Sequence, residues 1–575
     1  MKKILLKLMF LVMLVALLPV HVAQACSAFI VGKDLTADGS TLFGRTEDYP
    51  YAPDGGRHNQ NYVVVPAKTY KDGDKIEDES NGFTYPHLAN EMKYTAVYDS
   101  DRGNGSNGNF AAHGFNEVGV SMTATVSATP NDKVLKADPL VKDGLPEASL
   151  VDLALPRAKT AREVIETVAK VLDEKGSAEG NIIVAADKNE LWYMEILSGH
   201  QYVAIKFPSN KYAVFANTYY LGHVNLNDKE NVIASKDVEA VAKKADNYKT
   251  DKDGNFLIAK SYGPDKYMER NRSRTYAGIK WMDPQAKVNY DDESFDLLRE
   301  PTDPNKKYTV HDVIGEQRNR FEHLPEYKAD DLVEVGKKKD EKVYKYALGN
   351  ENVIDAHVYQ IKPNLPTAFG GVMWLGLAQS RNTPYVPFYG NVENTYEAFQ
   401  NRSTKYDGKS WYWSVWHIDQ MVMKYPEIFG NSIQEKWKAK EAEWDKEQVE
   451  RDAKYAGYTD EQAKAAGPEV TKEALERSEK VFKEIKAIEA EMEEKIKKEK
   501  GQDADLVYTG YNKANLLADA EKKNSENKDS KETKKENTEA KKANSNQTVW
   551  YVVGGIVVLV LIYLGFKQVR PKSEE

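Results

Sequence analysis

Short runs dominated by apolar and β-branched side chains recur along the first half of the chain. They are SAFIVG (27–32), NYVVVPA (61–67), GVSMTATV (119–126), NIIVAAD (181–187), LWYMEIL (191–197), YVAIKF (202–207) and YAVFANT (212–218). Runs of that length predict strands, and the Asp-Gly and Gly-Asn pairs between several of them predict turns. A longer period appears at 150–176, LVDLALPRAKTAREVIETVAKVLDEKG, where apolar positions fall three and four apart and predict helix. Strands in groups with helices between the groups predict a layered α+β fold. Residues 432–500 are rich in Ala, Glu and Lys with apolar positions at helical spacing, as in ALERSEKVFKEIKAIEAEMEEKIKK. Pro468 divides this region into two helices, which read as a hairpin packed on the body in preference to a coiled-coil partner site. No repeat of fixed period is visible.

The two ends have their own texture. Lys2, Lys3 and Lys7, the apolar LMFLVMLVALLPV and the small-x-small Ala23-Gln24-Ala25 predict a secretory signal over 1–25. Near the other end, VWYVVGGIVVLVLIYLGF (549–566) carries no charge and is long enough to span a bilayer. Trp550 and Tyr551 suit an interface, and Lys567 and Arg570 predict a cytoplasmic tail over 567–575. Residues 515–548 are mostly Lys, Glu, Asn and Ser, a composition that predicts a disordered charged stalk. The expected order is signal, a main domain over 26–430, a helical extension over 431–514, stalk, transmembrane helix and tail. That order predicts an exported, cell-surface protein with the membrane as a partner through its C-terminal helix.

Composition narrows the chemistry. The 575 residues hold 80 basic and 89 acidic side chains, net −9, which argues against nucleic acid as a partner. A single cysteine excludes an internal disulfide framework and any multi-cysteine metal site. The ten histidines include no His-Glu-x-x-His and no close pair. His113, His200, His223 and His357 read as standing singly, so no metal or other cofactor is expected.

The lone cysteine, Cys26, stands directly after Ala23-Gln24-Ala25. Three readings compete: a buried small hydrophobe, a lipid-acylated residue, and a catalytic nucleophile. Ala23 and Gln24 fit a lipoprotein signal poorly, and a lipid would duplicate the C-terminal anchor. Cleavage after Ala25 would give Cys26 a free α-amine of reference pKa about 7.7–8.0. That amine can take the thiol proton and later give it to a leaving amine, so nucleophile and base lie in one residue. Downstream, DGSTLFGRTEDYP offers Arg45, whose charge would favour the thiolate, and Asp48, which could orient the amine. Asn116 in HGFNEVGVSMT and Asn217 in VFANTYYLGH are candidate oxyanion donors, although a turn or cap asparagine would look the same.

Cys26 with GRTED, GFNEVGV and FANT resembles the secreted dipeptidase family of N-terminal-nucleophile (Ntn) cysteine hydrolases, related to penicillin V acylase and bile salt hydrolase. NELWYMEILSGHQYVAIK (189–206), AHVYQIKPNLPTAFGGVMWLGLAQSRNTPYVPFYG (356–390) and YWSVWHIDQMV (412–422) are similar to stretches of the same family. The resemblance implies a four-layer αββα Ntn-hydrolase sandwich, here with the C-terminal helical extension and one transmembrane helix. It implies a cysteine peptidase of dipeptides acting through a thioester on Cys26. Arg45, Asp48, Asn116 and Asn217 match family site positions. A further family arginine falls in ERNRSRTYAGIKW, where Arg274 is favoured over Arg270 and Arg272. Small peptides are then the expected partners, and a homo-oligomer is left open. Two alternatives also stay open. One is an acylase of small amides, such as penicillin or bile-acid conjugates. The other is a non-enzymatic anchored surface binding protein with Cys26 lipidated or inert.

Overall fold

The computed structural model describes residues 26–49, 59–99, 110–124, 126–292, 294–324, 346–403 and 405–508. Fourteen strands among them build two large sheets: β1 (Ser27–Val31), β2 (Thr41–Asp48), β3 (Gln60–Val65), β4 (Tyr94–Asp99), β5 (Phe110–Phe115), β6 (Ser121–Ala124), β7 (Asn181–Ala186), β8 (Leu191–Ile196), β9 (Tyr202–Lys206), β10 (Tyr212–Phe215), β11 (Val232–Ala234), β12 (Val353–Ile361), β13 (Val372–Leu377) and β14 (Val386–Tyr389). The six-stranded sheet runs β10-β1-β2-β12-β13-β14 and the eight-stranded sheet β11-β9-β8-β7-β6-β5-β4-β3. Every neighbouring pair is antiparallel. Each of the seven runs singled out in the sequence overlaps one of these strands.

The sheets face one another through aromatic contacts. Tyr359 of β12 meets Phe115 of β5 edge-on at 4.7 Å between ring centroids, and Phe215 of β10 meets Tyr193 of β8 at 5.2 Å. Helices α1 (Leu150–Ala154) and α2 (Ala161–Lys175) cover the outer face of the eight-stranded sheet. The α2 helix starts where Thr160 Oγ1 accepts the Glu163 N–H, and it ends at Gly176 with φ +73°. Between these caps Val164, Ile165, Val168 and Leu172 recur at helical spacing and pack into a core with Met122, Ile183 and Met194. Helices α3 (Glu269–Met282) and α4 (Val310–Arg318) cover the six-stranded sheet from its other side, which completes an αββα stack.

Three further long helices follow: α5 (Trp411–Lys424), α6 (Ser432–Tyr455) and α7 (Gly467–Lys500). Pro468 sits in the first turn of α7, where its missing N–H costs nothing. Both α6 and α7 pack on β14, so the hairpin lies on the body. A buried bidentate pair, Arg318 at the end of α4 with Glu441 on α6 at 2.6 and 2.8 Å, ties them together.

The sequence reading needs one correction here. Among the described residues no helix is long and apolar enough to cross a membrane. The expected span, 549–566, lies outside the described residues, as do the expected signal (1–25), stalk and tail. Among the described residues the fold class is therefore corrected to an α+β sandwich with a C-terminal helical extension and no membrane-crossing helix. The anchored cell-surface location and the membrane as a partner rested on that helix, and the described residues give them no support.

Candidate active site

Cys26 stands immediately before β1 and is fully buried. The strand is central, with β10 on one side and β2 on the other, so its start is fixed by hydrogen-bonded neighbours on both flanks. The backbone N–H of Cys26 donates to Asn217 Oδ1 at 2.8 Å. Asn217 lies just past the end of β10. Its Oδ1 also accepts from Arg274 Nη2 at 2.8 Å. Two donors on one oxygen fix the orientation of the carboxamide. Asn217 Nδ2 is then left buried with no hydrogen-bond partner among the described residues.

Arg274 is buried on α3 and reaches across the end of β1. Its Nη1 donates to the Cys26 carbonyl oxygen and to Ser27 Oγ at 3.1 Å. Asn271, one turn earlier on the same helix, accepts from Arg274 Nη2 at 2.9 Å and donates to the Asn217 backbone carbonyl at 2.6 Å. The ring of Tyr346 lies 5.4 Å from the guanidinium. Arg272 instead donates to the carbonyls of Tyr290 and Asp292, and Arg270 to Met268 Sδ. Of the three arginines of ERNRSR, Arg274 is therefore the one in contact with Cys26.

The thiol faces the other way, into the space between the sheets. Arg45 Nη1 stands 3.8 Å from Sγ, and Arg45 Nη2 donates to Glu47 Oε2 at 3.0 Å. Both side chains are about 1% exposed. The register pairs Arg45 with His357 and Glu47 with Asp355, so these four share the inner face of the sheet. Gly44 lets β12 come this close, because a Cβ there would fall 2.0 Å from the His357 carbonyl oxygen. Burial pushes the Cys26 thiol up to about 12, against the pull of Arg45 and with the push of Glu47 and Asp48. Burial also raises the Glu47 carboxyl to about 8, although Arg45 opposes it.

Asp48 has the opposite parity on β2. Its Oδ2 accepts from Asn350 Nδ2 at 2.6 Å, and burial lifts it to about 7 against Arg274, its strongest opposing charge. The partner of the Cys26 nitrogen is Asn217, not Asp48. Asn116 is committed elsewhere. Its Nδ2 donates to the Leu155 and Ala158 carbonyls and its Oδ1 accepts the Val118 and Val120 N–H groups. That use of all its bonds braces the β5–β6 turn against the end of α1, and no contact joins it to Cys26.

Two histidines read as solitary in the sequence meet here. His113 of β5 and His357 of β12 stack at 3.6 Å with 22° between their planes. Both sit against Asp355 Oδ2, at 3.1 Å from His113 Nε2 and 3.0 Å from His357 Nδ1. Tyr359 Oη and Thr123 Oγ1 take the remaining ring nitrogens at 2.7 and 3.0 Å. Burial lowers both histidines, His357 to about 3, while Asp355 is held below the usual carboxylate range by the ring N–H groups despite its burial. The three side chains have the donor types and proximity of a metal site. Stacked rings, however, aim their in-plane lone pairs side by side and not at one point, and three of the four ring nitrogens already have a hydrogen-bond partner. The trio is a hydrogen-bonded brace between the sheets, directly behind Arg45.

Comparison with known proteins decides the family. The model of Peptidase family C69 matches residues 25–439. The chain belongs to Peptidase family C69. A protein named probable dipeptidase B from Streptococcus pyogenes serotype M1 is 49% identical over 486 residues, covering 84% of this chain and 95% of its own. One named probable dipeptidase from Latilactobacillus sakei is 31% identical over 392 residues, covering 68% of this chain and 79% of its own. A crystal structure of a conjugated bile acid hydrolase from Clostridium perfringens covers 61% of this chain and 89% of its own, at 13% identity and a TM-score of 0.24. That likeness is too slight to bear on the fold. As a C69 member the chain is a peptide hydrolase, which removes the non-enzymatic surface-binding alternative.

Glu47, Asn271 and the His113–Asp355–His357 trio were not among the sequence candidates. Glu47 was findable, since GRTED read as a strand puts positions 45 and 47 on one face. Asn271 is three residues before Arg274 and on the same helix face. Nothing local announces that His113 and His357 meet, because their strands belong to different sheets.

Proposed function

We propose that this C69 peptidase is a cysteine dipeptidase whose nucleophile is Cys26, exposed as the N-terminal residue by cleavage after Ala25. The observation that carries the reading is the separate holding of the two ends of one residue. The Cys26 nitrogen rests on Asn217 Oδ1 and its sulfur on Arg45. Once that nitrogen is an α-amine, it is placed to take the proton of a thiol that burial keeps un-ionised. The sulfur then attacks the peptide carbonyl carbon, and the oxyanion finds the idle N–H of Asn217 Nδ2. The amine passes its proton to the leaving amino group, which leaves a thioester on Cys26. Water resolves the thioester, with the amine again accepting a proton. Arg274 is a positioning residue in this scheme: it holds Asn217 Oδ1 and the Cys26 carbonyl but not the reacting atoms. Asp48 contributes charge beside Arg274, and Asn116 shapes the turn. The relatives named probable dipeptidase support dipeptides as substrates.

The test joins a substrate panel to two forms of the chain. The form beginning at Cys26 should hydrolyse dipeptides with an acid limb set by an amine near pH 8. A form retaining Ala25 has an amide nitrogen there and should be inactive. Wild-type rates from the extended form would refute the mechanism. Turnover of acyl-amino substrates without turnover of dipeptides would move the chain to the acylases.

A further inference from the structure

We infer that Glu47 and the Cys26 thiol compete for the single guanidinium of Arg45, so that Glu47 is a positioning residue that sets when the thiolate can form. The inference rests on Cys26 as nucleophile and concerns a residue that the proposed mechanism does not use. Arg45 spans the two groups, with Nη1 at 3.8 Å from Sγ and Nη2 at 3.0 Å from Glu47 Oε2. All three are buried, where an uncompensated charge is costly and one cation cannot neutralise two anions.

The surrounding groups sharpen the competition. Sγ is influenced by Arg45, Glu47 and Asp48 on β2 and by Glu147, and Tyr346 is close enough to feel its charge. Arg274 touches the residue's backbone. Glu47 is faced by Arg45, by Asp355 on β12, by Asp99 on β4 and by Glu147. Asp355, held below the usual carboxylate range by His113 and His357, is an anion, so Glu47 sits beside negative charge with Arg45 as its cation. A protonated Glu47 leaves more of the Arg45 charge to the sulfur, and an ionised Glu47 draws on it. Ionisation of either acid therefore raises the pKa of the other.

Glu47→Gln tests this with the fold intact, because the amide oxygen still accepts from Arg45 Nη2. Cys26 is the only cysteine, so selective 13Cβ-cysteine labelling gives one NMR signal and iodoacetamide reads one thiol. In the enzyme beginning at Cys26, the variant should show a lower thiol midpoint and about tenfold faster alkylation at pH 8, the size of one pKa unit. Glu47→Asp keeps the charge one methylene further back and should fall between. A midpoint unchanged or raised in both variants overturns the inference, whatever happens to kcat. Dipeptide turnover by the unaltered enzyme, run alongside, reads the functional proposal separately. A shifted midpoint without turnover sinks that proposal and leaves this inference standing, while turnover with an unmoved midpoint does the reverse.

Discussion

Replacing Asn217 by aspartate separates two jobs that the carboxamide combines. Its Oδ1 receives the Cys26 nitrogen and Arg274 Nη2, both at 2.8 Å, and an aspartate oxygen can accept both as charge-assisted bonds. The fold and the seating of Cys26 are therefore preserved. What disappears is the unpartnered Nδ2 donor, replaced by an oxygen that repels a developing oxyanion. Loss of one such donor costs roughly 100- to 1,000-fold in kcat, or about 3–4 kcal/mol. The expected result for Asn217→Asp is a kcat fall of at least that size with KM within a few-fold. A second signature has a definite sign. The new carboxylate favours the ammonium form of Cys26, so the amine pKa rises and the acid limb of kcat/KM moves to higher pH by about a unit or more. Release of free amino acid from a dipeptide, followed from pH 6 to 10, reads both. A kcat within tenfold of the unaltered enzyme together with an unmoved acid limb would refute the role given to Asn217.

Glu316 on α4 is buried, its Oε1 has no partner among the described residues, and burial alone lifts it to about 8. A folded pKa above the unfolded one gives stability that is full below about pH 4.5 and is lost as pH rises through 8, here on the order of 4 kcal/mol; Glu316→Gln should flatten that fall in urea unfolding between pH 5 and 9, and parallel curves would contradict it. Glu441→Ala leaves the Arg318 guanidinium buried without its bidentate partner and should cost about 3–5 kcal/mol in denaturant stability. Adding Arg318→Met should recover part of that loss, whereas strictly additive losses would show that the pair is not coupled.

What the sequence disclosed and what it concealed follow from one property of this core. Strands that bury only apolar residues, such as NIIVAAD and YVAIKF, declare themselves by composition. TLFGRTED does not, because β2 carries Arg45, Glu47 and Asp48 into the interior, and three charges in four residues do not announce a buried strand. Mutual neutralisation makes such a strand tolerable, and only the paired structure shows it. Asn116 illustrates the reverse error. Its motif marks a turn next to the site, and a turn asparagine that spends all its hydrogen bonds on backbone has none for catalysis. Cys26, Arg45, Asn217 and Arg274 could be named from motifs, but which end of Cys26 each one touches is a matter of strand order and helix position.

The position of Cys26 explains why so much polar material is buried around it. An amine and a thiol on one residue can exchange a proton only if the backbone between them is held in one conformation. A loop would let them part, whereas a residue immediately before a strand paired on both sides is held by fixed neighbours. Two walls then suffice. On one side the end of β10 and helix α3 supply Asn217, Arg274 and Asn271 to the nitrogen and carbonyl. On the other, the inner face of β2 supplies Arg45 to the sulfur, backed by Glu47 and by the histidine–aspartate brace that joins the two sheets. Each wall is rigid because its own members are hydrogen-bonded to one another, so substrate need not organise them. In the mechanism proposed above, the same rigidity makes the chemistry conditional on cleavage of the peptide bond before Cys26, since an acylated nitrogen fills the place of the base while lacking its lone pair.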